Sequence, residues 1–145
     1  MDMNYIHNIG ALVDVVTSVP PQSAAAGTIA GTSIDRALHG MSASCVLHQV
    51  VGADSGAPTT LSVQTTLQHA PDNATWTNYE PNGVLVAQTA PLTAVSTENA
   101  VAIDLTAAYR YIRASTVVAF TGGTSPAIEV AADLVLGGER ELPAT

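Results

Sequence analysis

The sequence has few charged residues and no lysine at all. Only 11% of its 145 residues are charged, against about 25% in an ordinary soluble domain. Four arginines face twelve carboxylates, and the formal net charge is −8. Surfaces that bind phosphate or nucleic acid need clustered lysine and arginine, so we predict no nucleic-acid partner.

Cysteine and long apolar runs are also scarce. The single cysteine, Cys45, excludes an internal disulfide framework and any site with several cysteine ligands. Residues 43–51 have the pattern of a strand, so we expect Cys45 to be a small buried hydrophobe. A long uncharged stretch, residues 15–34, contains two prolines and two glycines and cannot form a continuous membrane-spanning helix. The first residues lack the features of a signal peptide, so we expect cytoplasmic synthesis and no membrane partner.

What the sequence does have is alternation of apolar and polar residues, which is typical of half-buried strands. This alternation predicts strands over residues 11–16, 41–51, 60–68, 84–88, 100–105, 109–120 and 128–136. Clusters of turn residues separate these segments, and Asn82-Gly83 suits a primed turn because both residues tolerate positive φ. We predict helix only for short pieces such as Ser23 to Ala30.

Short strands with turn signals between them indicate two packed sheets. We predict an all-β fold, a single antiparallel β-sandwich or jelly roll over residues 11–145, with short helical or irregular pieces. Residues 1–10 are either an arm that reaches a neighbouring subunit or a frayed terminus. For an arm, Tyr5, Ile6 and His7 are the candidate partner contacts, and its deletion should weaken assembly without disturbing the fold.

The strands on either side of residues 121–125 allow one pairing to be predicted. As a hairpin, they must place Ile112 and Ile128 on the same face to bury both. This register puts Arg113 opposite or diagonal to Asp133 on the outer face. An exposed cross-strand ion pair of this kind contributes roughly a few tenths of a kcal/mol.

No motif in the sequence carries recognisable chemistry. Residues 40–44 approach a nucleophile elbow but lack its closing glycine, and residues 121–125 lack the ending of a phosphate-binding loop. The histidines at positions 7, 39, 48 and 69 have no metal-ligand spacing, although a metal site could still be assembled from distant strands. We predict no catalytic residue, no cofactor and no metal site.

The outward positions are rich in threonine, serine, alanine, glutamine and asparagine, where a free small domain would carry charge. Such a surface costs less to desolvate than a charged one, so we expect large parts of it to be covered by copies of the chain or by another protein. The alternative is a neutral surface that the net charge keeps in solution. Trp76, near a turn, either closes one end of the sandwich or stacks on a ligand.

Two segments carry a resemblance to known proteins. Residues 63–79, in which Trp76 and Tyr79 follow Asp72-Asn73, resemble a hairpin of jelly-roll modules. Residues 108–113, Ala-Tyr-Arg-Tyr-Ile-Arg, resemble a strand of discoidin-type sandwiches. From Ala100 onward, including residues 120–126 and 134–138, the chain is similar to small proteins encoded in the head-gene region of tailed bacteriophages. Their better-understood relatives are capsid cement, or decoration, proteins, and the likeness covers roughly residues 60–140.

This resemblance implies a jelly-roll protein on the outside of a capsid, within the virion. Its partner would be the major capsid protein, whose subunits it would bridge as a homo-oligomer, a dimer or a trimer. An alternative keeps the discoidin-type resemblance and implies a carbohydrate-binding module of a phage tail or fibre. The sequence departs from that second pattern because it lacks an exposed aromatic cluster and an evident calcium loop.

Overall fold

The computed structural model describes residues 12–138, and within them nine strands form two antiparallel sheets. Sheet A contains, in spatial order, β1 (Val13–Ala24), β9 (Ala127–Gly137), β4 (Ser44–Ser55) and β7 (Thr97–Asp104). Sheet B contains β2 (Gly27–Ala30), β8 (Tyr111–Thr121), β5 (Thr60–Ala70) and β6 (Thr77–Asn78), and β3 (Ile34–Asp35) also pairs with β8. The predicted all-β sandwich is confirmed.

The strand pairing is nested from the ends of the chain inward. β1 pairs with β9, β2 and β3 pair with β8, β4 pairs with β7, and β5 pairs with β6. This nesting is the arrangement of a jelly roll. Two short 3-10 helices, Arg36–His39 and Pro81–Gly83, lie between strands. Across residues 12–138, no helix has the length and hydropathy that a bilayer crossing requires.

The alternation of the sequence determines which side chains enter the core. Ile112 on β8 and Ile128 on β9 are both buried, as the pattern predicted. Cys45 is buried on β4, which confirms its predicted role as a small core residue. Each large aliphatic side chain removed from water in this way contributes about 1.5–3 kcal/mol.

A layer of buried polar side chains divides the core into two apolar clusters. On β4, Gln49 lies between Leu47 of one cluster and Val51 of the other. Thr65 and Thr116 occupy the same level on β5 and β8, and both are buried. The amide oxygen of Gln49 accepts hydrogen bonds from Oγ1 of Thr65 at 2.7 Å and from Oγ1 of Thr89 at 3.2 Å. The layer is fully hydrogen-bonded, so its burial carries no unsatisfied group.

The hairpin predicted between β8 and β9 is wrong. β8 pairs with β5 and β2 in sheet B, whereas β9 pairs with β1 and β4 in sheet A. The connection between them crosses from one sheet to the other. Arg113 and Asp133 therefore face outward on opposite sides of the sandwich, and the predicted pair does not form.

Three local predictions also need correction. The proposed helix at Ser23 to Ala30 is instead the end of β1 and all of β2, and β1 is longer than the predicted strand at 11–16. Pro20 and Pro21 lie where the register of β1 shifts, which an edge strand tolerates. Residues 84–88 are not a regular strand, because only Gln88 forms an isolated bridge to β5. The turn conformation of Asn82 and Gly83 is confirmed by their φ angles of 59° and 73°.

Candidate functional site

An apolar row crosses the outer face of sheet A. Val135 on β9 lies between Val15 on β1 and Val46 on β4, and Val46 in turn lies opposite Ala102 on β7. We call these four residues the valine row. Val15 is 64% exposed and Val46 is 37% exposed. Four neighbouring strands thus present adjacent apolar side chains to solvent, at positions where a half-buried sheet normally carries polar residues.

Carboxylates flank the valine row. The adjacent row places Asp133 opposite His48, and Nε2 of His48 lies 2.9 Å from Oε2 of Glu98. Glu129 and Asp104 lie farther along the same face, at outward positions of β9 and β7. In the part of the chain described, no arginine occupies an outward position of sheet A. We call this outer surface of sheet A, with the valine row and its four carboxylates, the acidic face.

Two shallow hollows lie on the acidic face. One, of about 450 Å³, is lined by Val13, Val46, Ala102, Val135 and other residues around the row. The other, of about 340 Å³, is bordered by Pro21, Ala131, Asp133 and their neighbours. Both are open depressions between small side chains, so they suit protruding side chains of a protein better than an enclosed small molecule.

The outer face of sheet B has a different chemistry. Around the centre of this face, outward positions on β2, β8 and β5 carry hydroxyl, amide and small apolar side chains: Thr28, Val117, Ala119, Thr60, Ser62, Gln64 and Thr66. Val117 lies at the centre of these residues and is 47% exposed. We call these seven residues the neutral face. None of these seven residues is charged.

Next to the neutral face, an arginine stacks on a tryptophan at the outer surface of sheet B. The guanidinium carbon of Arg113 lies 4.3 Å from the centroid of the Trp76 ring, and Nε of Arg113 donates to Oε1 of Gln68 at 2.9 Å. The indole is half-buried, and Arg113 covers one side of its ring. Nearby, the Arg110 guanidinium holds the pKa of the Asp35 carboxyl below its usual value through a hydrogen-bonded ion pair.

Residues 40–44, which approach a nucleophile elbow in sequence but lack its closing glycine, contribute to a turn before β4. Ser42 is buried, and its Oγ donates to the backbone oxygen of His39 at 2.8 Å. The backbone oxygen of Ser42 accepts hydrogen bonds from the buried guanidinium of Arg36, which also donates to the backbone oxygens of Ala108 and Tyr109. The Ser42 hydroxyl is therefore engaged in holding the entry to β4.

The described histidines lie apart from one another. His39 contacts Asp14, and His48 contacts Glu98. His69 stacks on Tyr109 with ring centroids 4.4 Å apart, and its Nδ1 accepts a hydrogen bond from the Tyr109 backbone N–H. Burial lowers the pKa of His69. Among residues 12–138, no group of three or more potential ligands is arranged to hold a metal ion.

The sequence predicted parts of these surfaces but not the valine row. Its alternation placed Asp133 and Val135 outward, as observed. Local patterns carry no signal that Val15 and Val46 align beside Val135, because that alignment depends on the register of distant strands. The predicted contacts Tyr5, Ile6 and His7, like the whole predicted arm at 1–10, lie outside the described residues.

The chain matches no protein-family model, and no curated protein shows significant similarity to it.

Proposed function

We propose that this chain is a structural protein of a tailed-phage virion that cements the outside of the capsid by bridging subunits of the major capsid protein. The observation that carries the proposal is the valine row, an exposed apolar contact surface on a rigid four-stranded sheet. Contiguous exposed apolar surface of this kind is typical of protein–protein interfaces. The resemblance of residues 60–140 to small head-region proteins supplies the class of partner.

The two faces suit a bridging role. The acidic face lies against the shell, and the neutral face contacts other copies of the chain as a dimer or trimer. Because the neutral face is uncharged, two copies can meet there without bringing like charges together, although the chain carries a formal charge of −8. Many modest contacts, linked through the oligomer, then act together across the joints between shell subunits.

The carbohydrate-binding alternative needs a free aromatic ring to stack on a sugar. Trp76 is half-buried with Arg113 against one side of its ring, and the hollows of the acidic face contain no aromatic side chain. These observations favour the capsid proposal. Binding of the purified protein to a glycan array, without binding to shells, would support the alternative.

The proposal is tested by co-sedimentation with empty shells assembled from the major capsid protein of the phage that encodes this chain. The wild-type protein should bind, and Val46→Glu should weaken binding at least about tenfold, because it places a charge within an apolar contact. The matched control is Val86→Glu, which introduces the same change at a residue that is 53% exposed and lies on neither face.

Thermal unfolding of both variants checks that each is folded. The proposal fails when wild-type protein stays in the supernatant, or when Val46→Glu and Val86→Glu bind equally well.

A further inference from the structure

We propose that the acidic face binds a protein surface that carries an apolar ridge flanked by arginine or lysine, and that a second copy of this chain does not occupy it. The inference deepens the proposed function, since it assigns the chemistry that the shell protein must present at the contact.

Two of the four flanking carboxylates form no ion pair with a described residue. Asp133 and Glu129 form no ion pair within residues 12–138, and the partner of Glu98 is His48. Glu129 lies over Gly52, where an added Cβ would come within 2.8 Å of its Oε2. The glycine therefore leaves room for a carboxylate on the open surface. A partner with arginine or lysine beside its apolar ridge would pair with these groups as they lose water.

A second copy would meet this face with the wrong charges. Two acidic faces in contact would bring together the carboxylates of Asp133, Glu129 and Glu98 from both copies, and the outward positions described on sheet A offer no arginine to compensate. Like charges facing each other across an interface disfavour the pairing. The electrostatics of the face therefore select against self-association.

The face is large enough for one protein partner. Its strands have eight to twelve residues each, and at a spacing of about 4.8 Å and a rise of about 3.4 Å per residue they give an area of about 700 Å². A standard interface buries about 800 Å² on each partner.

The first test measures shell binding as a function of salt and charge. Wild-type affinity should fall at least about tenfold between about 50 and 500 mM NaCl, because salt screens exposed ion pairs. Glu98→Gln combined with Asp133→Asn should weaken binding at low salt and flatten this dependence. The control pair, Glu80→Gln with Asp54→Asn, removes the same charge at exposed positions away from the row and should behave as wild type.

The second test does not depend on shells. An amphipathic helical peptide with a leucine ridge flanked by lysines is titrated into the ¹⁵N-labelled protein. Amide shifts should change around Val46, Val135 and Asp133 and not around Val117, and a glutamate-flanked version of the peptide should have no effect.

The outcomes separate the two proposals. Peptide binding to the acidic face without shell binding would overturn the capsid function and leave this inference intact. Shell binding that is indifferent to salt and to the carboxylate variants, with no response to the peptide, would overturn this inference alone. No binding to either probe, or a dimer that Val46→Glu dissociates, would also overturn it.

Discussion

His69 shows how one side chain couples the fold to pH. The ring lies against Tyr79 and Tyr109, and its Nδ1 accepts the backbone N–H of Tyr109. Desolvation in this position lowers the pKa of the imidazole below its ordinary value of 6.5. The folded protein therefore holds His69 neutral under conditions where the unfolded chain begins to bind a proton.

The sign of the pH dependence follows from this difference. Above pH 7.5 both states are neutral at this position, and His69 has no effect on the pH dependence of stability. As the pH falls through 6.5, the unfolded chain gains the proton first, so the free energy of unfolding decreases until the folded pKa is reached. Urea unfolding between pH 8 and pH 5 measures the decrease.

The control for this prediction is His69→Asn, whose amide oxygen can still accept the Tyr109 N–H but cannot titrate. It should show a shallower decline over the same pH range. An identical decline in the variant would assign the pH dependence to other groups.

At the scale of the element, the buried polar layer offers a direct test of how hydrogen bonds within the core stabilise the sandwich. Gln49→Leu keeps the volume but removes an acceptor for the hydroxyls of Thr65 and Thr89. Both hydroxyls keep a second acceptor, Oγ1 of Thr116 for Thr65 and the backbone oxygen of Thr65 for Thr89. Loss of the buried amide's own hydrogen bonds should still reduce the free energy of unfolding by about 1–2 kcal/mol, although leucine is more apolar. Chemical denaturation measures the change.

A matched substitution makes this result interpretable. Gln22→Leu is the same change at an exposed position of β1 and should alter stability by less than about 0.5 kcal/mol. Equal effects of the two substitutions would mean that the polar layer is not a determinant of stability.

Strands were predictable from sequence, but their partners were not. Alternation identified β4, β5, β7, β8 and β9 and the inward side chains of β8 and β9, because which side chains point inward is a local property. It paired β8 with β9 because they are neighbours in the chain. In the structure both Ile112 and Ile128 are buried with their strands in different sheets, so burial alone could not decide the pairing.

The helix prediction for the alanine-rich segment at Ser23 to Ala30 was wrong for a related reason. Alanine favours helix by intrinsic propensity. Here, however, Ala24 on β1 belongs to the core, and Ile29 on β2 of the other sheet packs against the same core cluster. Tertiary burial outweighs the local preference. The valine row is likewise a product of register, which no short segment of the sequence contains.

At the scale of the whole molecule, the low charge of the sequence is distributed unevenly. Asp133, Glu129, Glu98 and Asp104 lie on the outer face of sheet A, whereas the centre of the outer face of sheet B is neutral around Val117. If copies associate through the neutral face, Val117→Glu should shift the protein toward a smaller species, because it buries a charge in a contact that has none. Light scattering coupled to size exclusion measures the mass.

Val86→Glu serves again as the matched control and should leave the mass unchanged. If the wild-type protein is monomeric at all concentrations, the proposal that copies associate through the neutral face is wrong.

The central place of β9 in sheet A has a consequence for biosynthesis. β9 pairs with β1 along one edge and with β4 along the other, although it is the last of the nine strands described. During translation the earlier strands of that sheet emerge without their main hydrogen-bonding neighbour. Sheet A can therefore complete its strand pairing only after residues 127–137 have left the ribosome. A chain truncated before this segment would expose two open strand edges, which makes it prone to aggregation.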